Sequence, residues 1–260
     1  MVARFIDQLN REVVLEKKPS RIVSLVPSQT ELLHDLGLEN EVVGITKFCI
    51  HPETWYRSKT RVGGTKKLDL EKIRALQPDL IIGNKEENEE GQVRALMQEY
   101  RVWMSDIRTL DEACGMIRSI GSITGREKEA HRMVSSIRKG FSDLVPDTRK
   151  LRTAYLIWND PIMVAAKGTF IDDLLSRCGL ENVFSASRYP ETSEEELKER
   201  APELILLSSE PFPFKEKHVT RFAQLCPGSK VVLADGEMFS WYGSRLLQAP
   251  SYLGGLLTQL

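Results

Sequence analysis

The chain has 260 residues, 36 Lys and Arg against 37 Asp and Glu, and 41% hydrophobic residues. This balance gives no electrostatic footprint for nucleic acid and no strong pull toward an anionic membrane, and no apolar run reaches the roughly 18 residues that would span a bilayer. The four cysteines, Cys49, Cys114, Cys178 and Cys226, are scattered and form no C-x-x-C, so neither a zinc ribbon nor a disulfide framework is indicated.

The opening residues, MVARFIDQLNREVV, lack the apolar stretch of about 7–15 residues and the small-residue cleavage site of a secretory signal. Residues 3–16 alternate around LNRE and predict a short hairpin. RIVSLV (21–26), bounded by Pro19 and Pro27, predicts a buried strand. In PSQTELLHDLG, Ser28 is read as the N-cap of a helix, Glu31 completes a capping box, and Gly37 stops it. EVVGIT (41–46) is the next strand. In LEKIRALQPDLII (70–82) a short helix ends before Pro78 and a buried strand follows. A helix in EGQVRALMQEY and a strand in RVWMSD complete a parallel α/β pattern.

From about Thr109 to Leu144 no strand is expected. Leu110, Ala113, Ile117 and Ile120 line one helix, and Ala130, Met133, Val134, Ile137 and Phe141 line a second. Twenty residues from Gly125 would make a rod of about 30 Å. The α/β pattern then resumes. TAYLIW (153–158), ELILLS (203–208) and KVVLAD (230–235) predict strands. TFIDDLLSRCG, EEELKERA and VTRFAQL predict helices, and a last helix covers about 244–260. The fold expectation is α/β, with two Rossmann-like lobes joined by a long backbone helix. The N-terminal lobe takes residues 1–108, the helical linker 109–149 and the C-terminal lobe 150–260. LEKIRALQPDLII and EEELKERAPELILL repeat one helix–proline–strand unit in each lobe. Two such lobes leave a cleft, and ligands of open α/β sheets bind beyond the carboxyl ends of the strands.

PSRIVSLVPSQTELLHDLG, VVGIT, DLEKIRALQPDLII, FIDDLLSRCGLENVF and EEELKERAPELILL, in this order, resemble the helical-backbone substrate-binding proteins of ABC importers. That family takes up cobalamin, ferric siderophores, haem and some bare metals, and the likeness is closest to the cobalamin and iron-chelate binders. It spans residues 3–258. It implies a binding protein rather than an enzyme, of class III periplasmic type, with no resident cofactor. It also implies a permease dimer as partner, which Glu71 and Glu195 would meet. A corrinoid or ferric chelate would be the ligand, and the location would be periplasmic or at the cell surface. If the chain lacks a signal, the alternative is a cytoplasmic enzyme or sensor reusing the fold to handle a metal-containing cofactor.

The resemblance implies an aromatic-walled pocket, and the loops after strands supply Phe48, Trp158, Phe212, Phe214, Trp241 and Tyr242. Thr65 and Asn84 stand where further large aromatics are expected, and NKEENEE is more acidic than a corrin pocket needs. Lys66, Asn84 and Glu86 join the ligand-contact candidates. In KFCIHP, Cys49 and His51 lie two apart and would face one way in an extended loop, as candidate metal ligands. Glu86, Glu210 or Glu237 would be the third ligand. The other histidines, His34, His131 and His218, map away from these loops, which weighs against a bare-metal receptor. Arg245 is read either as a clamp for an anionic group on the ligand or as a partner of Asp235 or Glu237. Catalytic motifs are lacking: GGTKK (63–67) has no phosphate-loop spacing, and neither G-x-S-x-G nor H-E-x-x-H occurs.

Overall fold

The computed structural model describes residues 2–260, which pack as two compact units. The first comprises residues 2–106, 111–136 and 242–245. The second comprises 107–110, 137–241 and 246–260.

The first unit begins with the expected hairpin, β1 (Ala3–Ile6) against β2 (Glu12–Leu15). Its sheet contains β3 (Ile22–Ser24), β4 (Val42–Ile45), β5 (Thr60–Arg61), β6 (Leu80–Asn84) and β7 (Val102–Ser105). The order is β5-β4-β3-β6-β7 and every pairing is parallel. The helices are α1 (Pro27–Asp35), α2 (Glu53–Ser58), α3 (Leu70–Leu76), α4 (Glu90–Glu99) and α5 (Leu110–Thr124). Buried Ile22, Val23, Leu80, Ile81 and Ile82 form the centre of this sheet. Strands covered on both faces read as unbroken apolar runs.

Helix α6 (Glu127–Asp143) has 17 residues, shorter than expected and about 26 Å long. It packs with the first unit through Ser136 and with the second from Ile137 on.

The second unit has β8 (Arg152–Asn159), β9 (Ile162–Val164), β10 (Glu181–Asn182), β11 (Glu191–Thr192), β12 (Leu204–Ser208) and β13 (Lys230–Ala234). The order is β11-β9-β8-β12-β13, with β10 on β8. Pairings among β8, β10, β12 and β13 are parallel, whereas β9 is antiparallel to both β8 and β11. Its helices are α7 (Phe170–Arg177), α8 (Glu194–Glu199), α9 (Glu216–Leu225), α10 (Gly236–Ser240) and α11 (Ala249–Leu257). Leu156, Val164, Leu197, Ile205, Leu207 and Phe222 share its core.

The repeated unit is duplicated down to single hydrogen bonds. Asp69 caps α3 by accepting from the Lys72 N–H, and Ser193 caps α8 by accepting from Glu196. Glu71 and Glu195 are each the second residue of their helix, and Ile73 and Leu197 are the buried residues that anchor it. Each chain then turns through a left-handed residue directly before proline: Gln77 at φ 46° and Ala201 at φ 43°. Arg21 donates to the Leu76 carbonyl, and Arg152 donates to the matching Arg200 carbonyl. The Asp79 and Glu203 carboxylates accept from the Arg21 and Arg152 N–H groups.

Several expectations need correction. Ser28 is not an N-cap: Val26 holds that position, Pro27 is the first helical residue, and no side chain caps the helix. Proline favours this position because its missing N–H would be unpaired there anyway. Glu31 therefore completes no capping box and bonds Arg245 instead. The last helix is broken into a 3-10 turn (Ser244–Leu247) and α11, whose first turn takes Pro250. Helix α9 starts three residues before VTRFAQL. Helices α2 and α10 and strands β5, β9, β10 and β11 carried too few residues to register as a period.

Candidate functional site

In both units the candidate residues cluster after the carboxyl ends of the strands. In the first unit β4 runs into residues 46–52, which turn tightly: the Cys49 N–H donates to Thr46 O and the Ile50 N–H to Phe48 O. The turn points alternate residues to opposite sides. Phe48 stands 50% exposed, and Cys49 is fully buried. The Cys49 sulfur lies 3.1 Å from both the Thr30 and the Thr46 hydroxyl oxygen. Burial pushes its thiol up, so the metal-binding thiolate is disfavoured.

Against the reading of Cys49 and His51 as metal ligands, the Cys49 thiol is buried and turned to the Thr30 and Thr46 hydroxyls. Among the described residues no three His, Cys, Asp or Glu side chains are placed to hold a metal ion.

Strand β6 ends at Asn84, which is 2% exposed. Its Oδ1 accepts from the Glu86 and Glu87 N–H groups, and its Nδ2 donates to the Ser105 hydroxyl. The side chain builds the turn and has no polar atom to spare, so it is not presented to a ligand. Lys66 is exposed and its ammonium reaches the Glu86 carbonyl across this turn. Ser208 ends β12, and its hydroxyl accepts from the Glu210 N–H.

Residues 242–245 also belong to the first unit. Arg245 grips Glu31 through Nε and Nη2 at 3.1 and 2.7 Å, and both side chains are nearly buried. Glu31 is a partner that neither sequence reading of Arg245 named. Burial pushes the Glu31 carboxyl up and the arginine opposes that push. Tyr242 is buried, and a side chain at Gly243 would strike the Ser28 carbonyl.

In the second unit, β8 delivers Trp158 to its carboxyl end with 37% of the residue exposed. Phe212 packs edge-on against it at 5.6 Å, and Phe214 backs Phe212 at 4.8 Å. Trp241 is buried. Its Nε1 donates to the Glu210 carboxylate, which also accepts from Ser240. Burial pushes the Glu210 carboxyl above its ordinary range. Of all Phe, Tyr and Trp residues described, Phe48 and Trp158 alone are exposed.

Glu71 and Glu195 are exposed on α3 and α8. Glu71 pairs with Arg74 at 2.6 Å. A hydrogen bond from its own N–H, with one from Ser193, holds the Glu195 carboxyl below the usual range. Sequence reasoning missed Glu31, whose partner is 214 positions away, and Lys47, whose only signal was its place beside an aromatic after a strand.

Known proteins share this architecture. A vitamin B12-binding protein of Pectobacterium carotovorum is 26% identical over 250 residues, covering 93% of this chain and 90% of its own. The periplasmic vitamin B12 binding protein BtuF of Vibrio cholerae superposes with a TM-score of 0.75 at 24% identity, over 94% of this chain and 98% of its own. The siderophore binding protein BauB, bound to two molecules of acinetobactin and ferric iron, superposes with a TM-score of 0.79 at 15% identity, over 98% of each chain. The family model described as periplasmic binding protein matches residues 22–224. The chain belongs to the periplasmic binding protein family, a family of binding proteins rather than enzymes.

Proposed function

We propose that this protein is the substrate-binding component of an ABC importer and captures a large metal chelate, a corrinoid or a ferric siderophore-type complex. The observation that carries this reading is the placement of the exposed aromatics. Each unit leaves one large aromatic open to solvent, and both lie where parallel strands end. Leaving these rings partly exposed forgoes on the order of 1 kcal/mol of burial each, which a flat, partly apolar ligand can recover. Phe212 braces Trp158, and Ile50 extends the apolar surface beside Phe48. The relatives named for vitamin B12 and siderophore binding support the same ligand class.

Glu71 and Glu195 serve as the pair that meets the permease. Their identical helix positions, matched caps and exposure suit a partner with two-fold symmetry. The test has two parts. Titration with cyanocobalamin, haemin and ferric siderophores is followed by tryptophan fluorescence, and Trp158→Ala and Phe48→Ala should each weaken binding at least tenfold. A full panel with no binder refutes the ligand class. Glu71→Arg with Glu195→Arg should abolish uptake in cells while leaving the titration unchanged; normal uptake by that double variant refutes the docking role.

A further inference from the structure

We infer that the ligand carries an acidic group, a carboxylate or phosphate, and that Lys47 receives it while the flat part of the ligand covers Phe48. The inference rests on the strand ends of the first unit being ligand-facing. Lys47 is the second residue after β4, and its backbone N–H donates to the Gly63 carbonyl at 2.8 Å, which fixes where the side chain starts. Its ammonium lies 5.0 Å from the centre of the Phe48 ring. Gly64 forms the floor under both: a Cβ there would come within 3.1 Å of Phe48 Cε2 and 3.2 Å of Lys47 Cε. An exposed ring and an exposed cation are thus seated together on one glycine.

Several other cations of this unit are already paired. Arg245 is held by Glu31, Lys85 by Asp106 at 2.9 Å and Lys59 by Glu39 at 3.7 Å. Lys66 gives its ammonium to the Glu86 carbonyl. Among the described residues no carboxylate pairs with Lys47.

A ligand lying on Phe48 strips water from one side of the Lys47 ammonium. A neutral ligand leaves that charge poorly solvated, whereas an acidic one replaces the lost water with a charge-assisted bond. The same contact therefore rewards an acidic ligand and penalises a neutral one.

The experiment uses the whole protein and two probe pairs: haemin with its dimethyl ester, and cyanocobalamin with dicyanocobinamide, which lacks the nucleotide and with it the phosphate. Lys47→Gln should weaken the acidic member of a pair that binds by about tenfold. The neutral member should change less than twofold, and Lys47→Arg should keep the acidic preference. Lys47 is exposed, so neither variant disturbs the core. Equal effects on both members, no effect on either, or binding of the neutral members alone would overturn the inference and leave the ligand-binding reading standing. If neither pair binds and the siderophores also fail, the functional reading is what has failed, and this inference falls with it.

Discussion

Residues 69–84 and 193–208 share a side-chain cap, a buried anchor, a left-handed turn and a strand start, yet their strands end on different chemistry. Asn84 makes a closed turn with two N–H groups accepted and a donor fixed on Ser105. Ser208 accepts from one N–H and from the Tyr155 hydroxyl, and gives its own hydroxyl proton to the Glu210 carbonyl. The helix–proline–strand half is a scaffold that either sequence builds. The strand end is where the units diverge, toward a lysine and phenylalanine in one and a tryptophan backed by two phenylalanines in the other.

The largest test of the shared half is to empty its anchors. Ile73→Ala and Leu197→Ala should each destabilise by about 3 kcal/mol, since both side chains are fully buried. Urea unfolding measures this, and a large inequality between the two would break the correspondence. The divergent half should respond unequally. Asn84→Ala should cost about 2 kcal/mol by stranding part-buried N–H groups, and Ser208→Ala about 1 kcal/mol, because it leaves one weaker contact unmade.

A third contrast is electrostatic. The folded Glu210 carboxyl titrates above the unfolded value of 4.5, so between these two values the native state holds more proton than the unfolded one. Stability contributed by this group therefore falls as pH rises through that window. Glu210→Gln keeps the oxygen that accepts from Ser240 and Trp241, and should flatten the pH dependence of the melting temperature above pH 4.5. Glu31 shares the direction of shift, but Arg245 counters it, so Glu31→Gln should break an ion pair and destabilise at neutral pH. The smallest expected effect returns to the shared half. Gln77→Gly and Ala201→Gly relieve a left-handed backbone at equivalent places, and each should stabilise by about 0.5 kcal/mol, or a degree or two in Tm.

Much of the fold was legible because it is local. The apolar runs at 80–82 and 204–207, the prolines ahead of them and the glycines that end α1 and α7 announce a strand or a stop within a few residues. Short elements such as β9 and α10 were illegible because three to five residues hold no measurable period. Of the candidate site, Phe48, Trp158 and Phe212 were found as aromatics after strands. The roles of Cys49, Asn84, Trp241 and Arg245 were not, because each is decided by partners distant in the chain or by one turn of backbone.

Order along the chain was enough to establish a duplicated α/β protein, since periodicity, proline and glycine act through nearest neighbours, and the order of its motifs carried the family resemblance. Tertiary structure alone decided which polar side chains are consumed and which remain for a ligand. A hydrogen bond between Arg245 and Glu31, or a thiol buried against two hydroxyls, depends on distances that no local pattern encodes. By the same contacts, Lys47 keeps its charge without a carboxylate partner and Phe48 keeps an open face.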